Sequence, residues 1–263
     1  MRGTLRQLFI AWLILGWSGA GAAVTAVPVR LGYANQPFEP YQRGYGEQQE
    51  VPPGLAVDLI VDTARELGIR LKIDRMPLRR LVQETRYGGL QGAFSFSYSP
   101  ERLGYLAYPM THDGEIDGNK ALFAVDYYFF TRPGFDTHLL ALGPQALAHY
   151  RVGVLKDSAA AQYLDALHIH YDAARTAELN LEKLRRGRLD MVLGPEEPTL
   201  RQIRELGWSR EIRRSSRPLF HWNYFLVFKR EFYQQNWPLC EAWWRQIQQR
   251  RDSVIQERMP LYR

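Results

Sequence analysis

The chain has 263 residues, of which 46% are hydrophobic and 24% charged. This ordinary globular composition excludes a disordered or low-complexity protein, and the length suggests one large domain or two small ones. The 34 lysine and arginine residues against 28 acidic residues leave a formal net charge of only +6. Cys240 is the only cysteine, which excludes an intrachain disulfide framework and any zinc or iron–sulfur site built from cysteines.

The first 23 residues have the three parts of a secretory signal peptide. Arg2 and Arg6 make a basic start without acids, residues 8–17 are almost wholly apolar, and residues 18–23 are small. The apolar run is shorter than the roughly 20 residues that a membrane-spanning helix needs. We therefore predict a cleaved signal peptide over residues 1–23 and an exported mature chain, with an uncleaved membrane anchor as the alternative.

The basic residues of the mature chain cluster at residues 185–188 and 210–217. Such clusters can mark nucleic-acid binding. Without Arg2 and Arg6, however, 32 basic residues face 28 acidic ones, so the basic excess is mild. In an exported protein we interpret these clusters as solvated helix faces and predict no nucleic-acid partner.

Apolar residues in the first half of the chain follow an alternating order of strands and helices. The predicted elements are a strand at residues 27–33, a loop at 42–53, a helix at 54–68, a strand at 71–74, a helix at 78–87 and a buried strand at 90–97. The helices show apolar residues at three- and four-residue steps, and glycine and proline mark the breaks. This order is typical of a parallel α/β sheet.

The same order returns in the second half of the chain. The predicted elements are strands at residues 151–155, 169–171 and 189–194, helices at 159–167 and 179–186, and a last helix at 237–255. Two apolar, aromatic and extended segments, residues 121–131 and 219–228, flank this second unit. We interpret them as crossovers that carry the chain to a second lobe and back, an arrangement that suits hinge closure around a ligand.

Several motifs of well-known chemistry are absent from the sequence. There is no Gly-x-Ser-x-Gly elbow, no Walker phosphate loop and no His-Glu-x-x-His motif. Gly44 and Gly46 lack the third glycine of a dinucleotide fingerprint. His168 and His170 stand near Asp172, but no further ligand follows at a telling spacing, so we interpret them as surface histidines. We predict no metal, no cofactor and no catalytic residue.

Residues 88–102 read GGLQGAFSFSYSPER, and LAYP follows at 106–109. This run resembles a signature of the amino-acid-type (family 3) periplasmic solute-binding proteins, which have a glycine, a buried strand of small residues, a hydroxyl-rich turn, a Pro-Glu-Arg-like run and an aromatic residue before proline. Further segments resemble family features in the expected order: the strand before Pro37 and Phe38, PGLAVDL at 53–59, VGVLKDS at 152–158 and LRRGRLD at 184–190. The resemblance covers residues 27–263.

The resemblance implies an α/β fold of two lobes, the type II periplasmic-binding-protein fold, in which mixed, mostly parallel sheets are joined by two extended hinge segments. Lobe one would comprise residues 28–122 and 226–263, and lobe two residues 132–218. Residues 121–131 and 219–228 would be the hinge crossovers.

The resemblance also implies where a ligand would bind. Arg102 offers a planar fork to a carboxylate, with a surface charge as the alternative. Ser95 and Ser97, two apart on a strand, would point their hydroxyls to one side. Ser158 precedes the second-lobe helix, where free backbone amides attract an anion. Turn and capping roles are the alternative for the serines.

The remaining candidate residues flank this anion site. Tyr33 and Phe38 follow the first strand and could stack on the ligand body, with packing inside the lobe as the alternative. Amino-acid-binding members carry an acid that meets the ligand's ammonium at the place of Pro195; Glu196 stands one position later, in a predicted loop. Asp157 replaces the usual glycine before the second-lobe helix. These departures favour a small polar metabolite other than an ordinary α-amino acid.

We therefore expect a monomeric periplasmic solute-binding protein that captures a small polar, carboxylate-bearing, amino-acid-like ligand by hinge closure and presents it to a membrane ABC importer. A periplasmic sensor that signals through another chain is one alternative. A dehydratase-like enzyme on the same fold is another, in which Glu196 or His112 could supply the acid–base group.

Overall fold

The computed structural model describes residues 28–135 and 144–262. The predicted signal peptide, residues 1–23, lies outside the described residues. Within them, ten strands form one hydrogen-bonded sheet, and six α-helices pack against it.

The strands are β1 (Val29–Ala34), β2 (Leu71–Met76), β3 (Gly92–Ser97), β4 (Leu106–Ala107), β5 (Phe123–Thr131), β6 (Val152–Leu155), β7 (Asp172–Ala174), β8 (Met191–Pro195), β9 (Arg213–Arg214) and β10 (Phe220–Lys229). The helices are α1 (Leu55–Glu66), α2 (Leu78–Arg86), α3 (Ala159–Ala166), α4 (Ala177–Arg185), α5 (Glu196–Glu205) and α6 (Arg230–Arg258).

The order of strands in the sheet is β2-β1-β3-β10-β5-β8-β6-β7, with β4 beside β10 and β9 beside β5. Strands β1, β2 and β3 pair in parallel, as do β6, β7 and β8. The two central strands, β5 and β10, pair antiparallel with each other and with their outer neighbours β8 and β3. Two α/β units are therefore joined by a pair of long crossover strands.

Apolar residues cover both faces of this sheet. On one face a single cluster runs from α1 and α6 across the crossover strands to α3. On the other face two separate clusters lie under α2 and under α4 and α5. The indole N–H of the fully buried Trp243 donates to Oγ1 of Thr63 at 2.9 Å, so a hydrogen bond as well as packing fixes α6 on α1.

The predicted order of elements is confirmed, and most boundaries agree to within two residues. The strand predicted over residues 169–171 is wrong. The edge strand that pairs with β6 is β7, Asp172–Ala174, which begins after these residues. His168 takes a positive φ of 57° at the end of α3, and Ile169 is buried in the core. Residues 169–171 therefore form the connection between the end of α3 and the start of β7.

The predicted loop around Glu196 is also wrong, because these residues open helix α5. Pro198 lies in the first turn, where a missing backbone N–H costs nothing. Thr199 and Ile203, four residues apart, are the buried positions of this helix. With only these two positions fully buried and most other residues polar, the sequence shows no clear helical period there.

The last helix is longer than predicted, since α6 begins at Arg230 rather than at residue 237. It bends at Asn236, whose φ of −132° is not helical, two residues before Pro238. A proline clashes with the carbonyl of the preceding turn, so a kink is expected there. None of the helices in the part of the chain that the structure describes has the length and hydropathy to cross a membrane.

Candidate functional site

One face of the two crossover strands is almost entirely aromatic. Directly opposed residues of an antiparallel pair share a face, and the register pairs Phe123 with Tyr224, Val125 with Trp222, and Tyr127 with Phe220. We call these six residues the aromatic crossover face. The two alternate pairs, Asp126 with His221 and Ala124 with Asn223, point to the other face, and Nδ1 of His221 lies 2.8 Å from the Asp126 carboxylate. Between Phe123 and Tyr127 the aromatic side chains therefore lie on one face of the strand pair, although Tyr128 and Phe130 further along β5 are buried on the other face.

Two stacks of three rings build this face. Phe123 stacks on Tyr224 with ring centroids 4.9 Å apart, and Tyr41 stacks on Phe123 at 3.8 Å. Tyr41 belongs to the first unit, between β1 and α1.

The second stack mirrors the first. Tyr127 stacks on Phe220 at 4.6 Å, and Tyr163 of α3 stacks on Phe220 at 4.3 Å. Because each α/β unit adds one ring to a cross-strand pair, the aromatic crossover face lies between the two units.

A pair of buried phenols joins the two stacks. The hydroxyl oxygens of Tyr127 and Tyr224 lie 2.6 Å apart. The two residues are four positions apart in the register, so their side chains reach towards each other over the Val125–Trp222 pair. Burial raises the pKa of Tyr127 to about 12 and raises the pKa of Tyr224 well above 10, although the positive charge of Arg102 acts to lower it. Both phenols stay protonated at neutral pH.

Arg102 lies at the junction of the first unit and the crossover. It sits in a short 3-10 helix, Pro100–Gly104, directly after β3. Its Nη1 donates to the carbonyl oxygen of Ser97 at 2.9 Å, and its guanidinium lies 5.1 Å from the ring centroid of Phe96. The hydroxyl of Tyr108 donates to the same carbonyl at 2.9 Å. Within the described residues no carboxylate lies within ion-pair distance of Arg102, which is half-buried.

The two strand serines have different surroundings. Ser97 is directly opposite Tyr224 in the register, so its side chain shares the face of the aromatic stacks. Ser95 is the extra residue of a β-bulge, with a φ of 60° and a buried hydroxyl that has no partner in the described part of the chain. Strain of this kind is often found beside binding sites.

The bulge at Ser95 breaks the regular alternation on which the predicted common orientation of the Ser95 and Ser97 hydroxyls depends. Phe94 packs in the large core cluster and Phe96 in the cluster under α2, although two-residue spacing would put them on one face. A bulge inserts one residue and reverses the alternation. The spacing of Ser95 and Ser97 therefore does not by itself put both hydroxyls on one side.

Of the other candidate residues, Phe38 lies at the aromatic stacks, whereas Tyr33 packs inside the first unit and Ser158 caps a helix. The Phe38 ring lies 5.8 Å from that of Phe123 and 5.2 Å from that of Tyr224, at the first stack. Tyr33 is fully buried and stacks on Phe94 at 4.9 Å, which is a packing position. Ser158 caps α3, since its Oγ accepts from a backbone N–H in the first turn at 3.2 Å.

Glu196 turns away from the aromatic crossover face. It is the first residue of α5 and forms an ion pair with Arg214 of β9. The guanidinium of Arg214 lies 4.2 Å from the ring centroid of Tyr128. Tyr128 points to the opposite face of β5 from Tyr127. Glu196, the acid that the resemblance relates to ligand binding, therefore has its charge balanced by Arg214, away from the aromatic crossover face.

Polar contacts between the two units lie beside this face. Arg201 of α5 pairs with Glu39, which follows β1, and its Nη2 donates to the carbonyl oxygen of Tyr262 at 3.0 Å. The hydroxyl of Tyr262 in turn donates to the Asp58 carboxylate at 2.7 Å and accepts from the backbone N–H of Gly54 at the start of α1. The C-terminal segment therefore connects α1 with α5.

Sequence reasoning missed most of the residues of this site. None of the six rings of the two stacks was among the candidates; of the neighbouring rings, only Phe38, which lies against the first stack, was. The available signal was the density of aromatic residues in the two segments predicted to be extended crossovers. Two extended segments that pair with each other would bring such residues together on a common face.

No protein-family model and no curated protein matches the chain, but solved structures do. The GluR0 ligand-binding core from Nostoc punctiforme, in complex with L-glutamate, has a TM-score of 0.64 at 16% identity, covering 88% of this chain and 98% of that chain. A histidine kinase sensor domain with similarity to periplasmic binding proteins has a TM-score of 0.66 at 17% identity, covering 89% and 94%. AbpA from Streptococcus pneumoniae, an amino acid ABC transporter substrate-binding protein bound to L-arginine, has a TM-score of 0.61 at 16% identity, covering 86% and 90%.

These similarities show the fold of the chain. It has the two-lobed periplasmic-binding-protein fold, an α/β architecture with a mixed, curled sheet. The fold class expected from the resemblance to periplasmic solute-binding proteins is confirmed.

Proposed function

We propose that the chain is a periplasmic solute-binding protein that holds a small carboxylate between its two lobes and presents it to a membrane ABC importer. The proposal takes lobe one as residues 28–122 and 226–263 and lobe two as residues 132–218. Residues 121–131 and 219–228 would be the hinge. Export would use a cleaved signal peptide within residues 1–23.

The environment of Arg102 is the observation that carries this proposal. Arg102 is half-buried, and Ser97, which it contacts, is directly opposite Tyr224 of the aromatic crossover face in the strand register. One of its N–H groups bonds the carbonyl oxygen of Ser97, which leaves other donors of the planar fork. A partly desolvated cation without a counter-ion in the described residues favours an anionic ligand.

Closure of the lobes would complete the site. In the open form a carboxylate could reach Arg102 and the hydroxyl of Ser97 from solvent. On closure the second lobe, with Tyr163 and α5, would cover the ligand and exclude water, which strengthens each hydrogen bond that the ligand satisfies. Only a ligand that binds the closed form more tightly shifts the balance between open and closed forms.

A carboxylate screen tests the proposal. The exported, processed protein is screened by thermal shift against a set of small carboxylates, and each hit is followed by small-angle X-ray scattering. A ligand at a hundred times its Kd adds about 2.7 kcal/mol to the free energy of unfolding, which raises the Tm by roughly 5–11 °C for a chain of this size. The radius of gyration should fall on binding. No stabilising carboxylate, or binding without a change in radius, would contradict the proposal.

A sensor role is the second candidate, because a histidine kinase sensor domain has a TM-score of 0.66 with this chain. A sensor of this kind would pass the state of the cleft to another signalling chain. Uptake of the identified ligand by cells with and without the gene separates the two roles: an importer component is required for uptake, whereas a sensor is not.

An enzymatic role would need an acid–base group over the bound ligand. The two residues considered for it lie elsewhere, since Glu196 is paired with Arg214 and His112 is exposed on a turn. Incubation of the protein with prephenate-like acids, followed by product analysis, tests this role directly.

A further inference from the structure

Two carboxylates of the described residues near the aromatic crossover face, Glu39 and Glu197, already have cationic partners. Glu39 pairs with Arg201 at the contact between the units. Glu197, whose charge helps to raise the pKa of Tyr41 after the larger effect of burial, lies 3.3 Å from Arg204 and is 60% exposed. Glu196 is paired on the other face of β5, as described above. A buried ammonium group needs a paired, hydrogen-bonded carboxylate, so the described residues suit a ligand without one.

The Tyr127–Tyr224 phenol pair can supply a hydrogen-bond donor to an oxygen at the 2-position of a ligand. Two hydroxyls at 2.6 Å share one hydrogen bond, in which one phenol donates and the other accepts. The accepting phenol keeps its own O–H hydrogen, and that hydrogen can be donated to a ligand oxygen. Both hydroxyls are buried in this form of the protein, so a ligand oxygen would reach this donor only when the lobes open. Arg102 would lie beside the same opening, because it contacts Ser97, which is directly opposite Tyr224 in the register.

The shape and apolarity of the face indicate the ligand body. Five of the six residues of the aromatic crossover face are aromatic, and Phe220 and Trp222 are half-buried. The lobe rings Phe38, Tyr41 and Tyr163 are half-buried as well. Half-buried rings on both sides can contact a flat apolar group by stacking or edge contacts.

We propose, on the basis of the proposed function, that the ligand is an aromatic 2-oxo or 2-hydroxy acid rather than an amino acid. Its carboxylate would bind Arg102, its 2-oxygen would accept from the Tyr127–Tyr224 phenol pair, and its ring would lie against the aromatic crossover face. The three groups of the ligand thus correspond to three groups of the site.

Matched pairs of compounds test the proposal by titration calorimetry on the processed protein. Phenylpyruvate and L-phenylalanine share ring and carboxylate and differ at the 2-position, as do 4-hydroxyphenylpyruvate and L-tyrosine. Pyruvate keeps the 2-oxo acid and lacks the ring. Each aromatic 2-oxo acid should bind at least about tenfold more tightly than its amino acid and than pyruvate.

Three outcomes overturn the proposal: an amino acid that binds as tightly as its 2-oxo partner, pyruvate that binds as tightly as phenylpyruvate, or no measurable binding of either aromatic 2-oxo acid at millimolar concentration. Failure of the proposed function is distinguishable. If L-glutamate, L-arginine or another carboxylate binds and compacts the protein, the solute-binding function stands and only the ligand class is wrong. If no carboxylate binds, both fail.

A variant separates the ring contact from the carboxylate contact. Tyr163→Leu removes the half-buried ring that stacks on Phe220, so it should weaken phenylpyruvate binding by at least about fivefold and bring it closer to that of pyruvate. Tyr171→Leu is the matched control on the same unit, because Tyr171 bonds the exposed Asp165 at 2.9 Å. Equal affinities of both variants and wild type would show that the ring of the ligand does not lie at the second stack.

Discussion

Replacing Tyr127 by phenylalanine removes one hydroxyl from a hydrogen bond whose two oxygens lie 2.6 Å apart. The phenol of Tyr224, a residue only 8% exposed, then loses its partner without gaining access to water. A buried polar group left unsatisfied costs about 1–3 kcal/mol. For a chain of this size each 1 kcal/mol lowers the Tm by roughly 2–4 °C, so Tyr127→Phe should melt roughly 2–12 °C below wild type. Tyr224→Phe should behave in the same way.

The double variant should lose less stability than the two single variants together. When both partners are replaced by apolar groups of the same shape, no polar group is left unsatisfied, and the change can be nearly neutral. The double-mutant cycle should therefore show a coupling of at least about 1 kcal/mol, above the 0.3–0.5 kcal/mol expected for independent sites. Urea unfolding of the four proteins gives these values. Additive losses would refute the phenol–phenol hydrogen bond.

The same pair predicts how stability depends on alkaline pH. The pKa of Tyr127 is raised to about 12 by burial, against about 10 in the unfolded chain. A phenol with a raised pKa contributes stability that is fully present below pH 10 and is lost as the pH rises through 12. Between these values the wild type should lose stability more steeply than the double phenylalanine variant. Parallel curves would contradict burial of the pair.

Three further predictions concern the fold. Trp243→Phe removes the donor to Thr63 and should lower the free energy of unfolding by about 1–3 kcal/mol; an unchanged urea midpoint would speak against this contact. Hydrogen bonds from Arg151 lower the pKa of Asp190 below 3.8, so this carboxylate contributes stability above pH 3.8 that is lost as the pH falls through its lower folded-state pKa. Asp190→Asn should therefore flatten the acid limb of the stability curve, and an unaltered limb would exclude the pair. Gly92→Ala would put a methyl group 2.4 Å from the carbonyl oxygen of Val227 and should cost about 1–3 kcal/mol, whereas a wild-type Tm would show that the strand can adjust.

The order of elements was predictable because it depends on local patterns. Helix α1 and strand β3 follow directly from the spacing of apolar residues and from glycine and proline at their ends. Helix α5 escaped prediction because only Thr199 and Ile203 are buried in it. A helix with so short an apolar stripe is recognised only through the surface it covers.

Most of the site was not predictable because it depends on pairing between distant residues. Tyr127 and Tyr224 are 97 positions apart, and only the register of β5 and β10 brings their hydroxyls together. Likewise, the ion pair of Glu196 with Arg214 follows from the position of β9 beside β5. A pattern of residue types along the chain does not contain that register.

The bulge in β3 shows a different limit. Nothing in the residues around Ser95 marks an inserted position, and a serine at a φ of 60° is uncommon. The bulge results from the pairing of β3 with β10, which reverses the alternation between Phe94 and Ser97. Spacing arguments within a strand hold only where the ladder is unbroken.

The role of Arg102 is tested most directly by the affinity of three proteins for a carboxylate that binds the wild type, with phenylpyruvate as the first probe. Loss of a charge-assisted, bidentate contact in Arg102→Ala should weaken binding by about 2–3 kcal/mol, or about a hundredfold. Arg80→Ala is the control, because Arg80 is 60% exposed and pairs with Glu47 at 3.8 Å, and its affinity should equal that of wild type. Thermal unfolding confirms that each variant is folded. An affinity of folded Arg102→Ala equal to that of wild type would contradict the binding of the ligand's carboxylate by this residue.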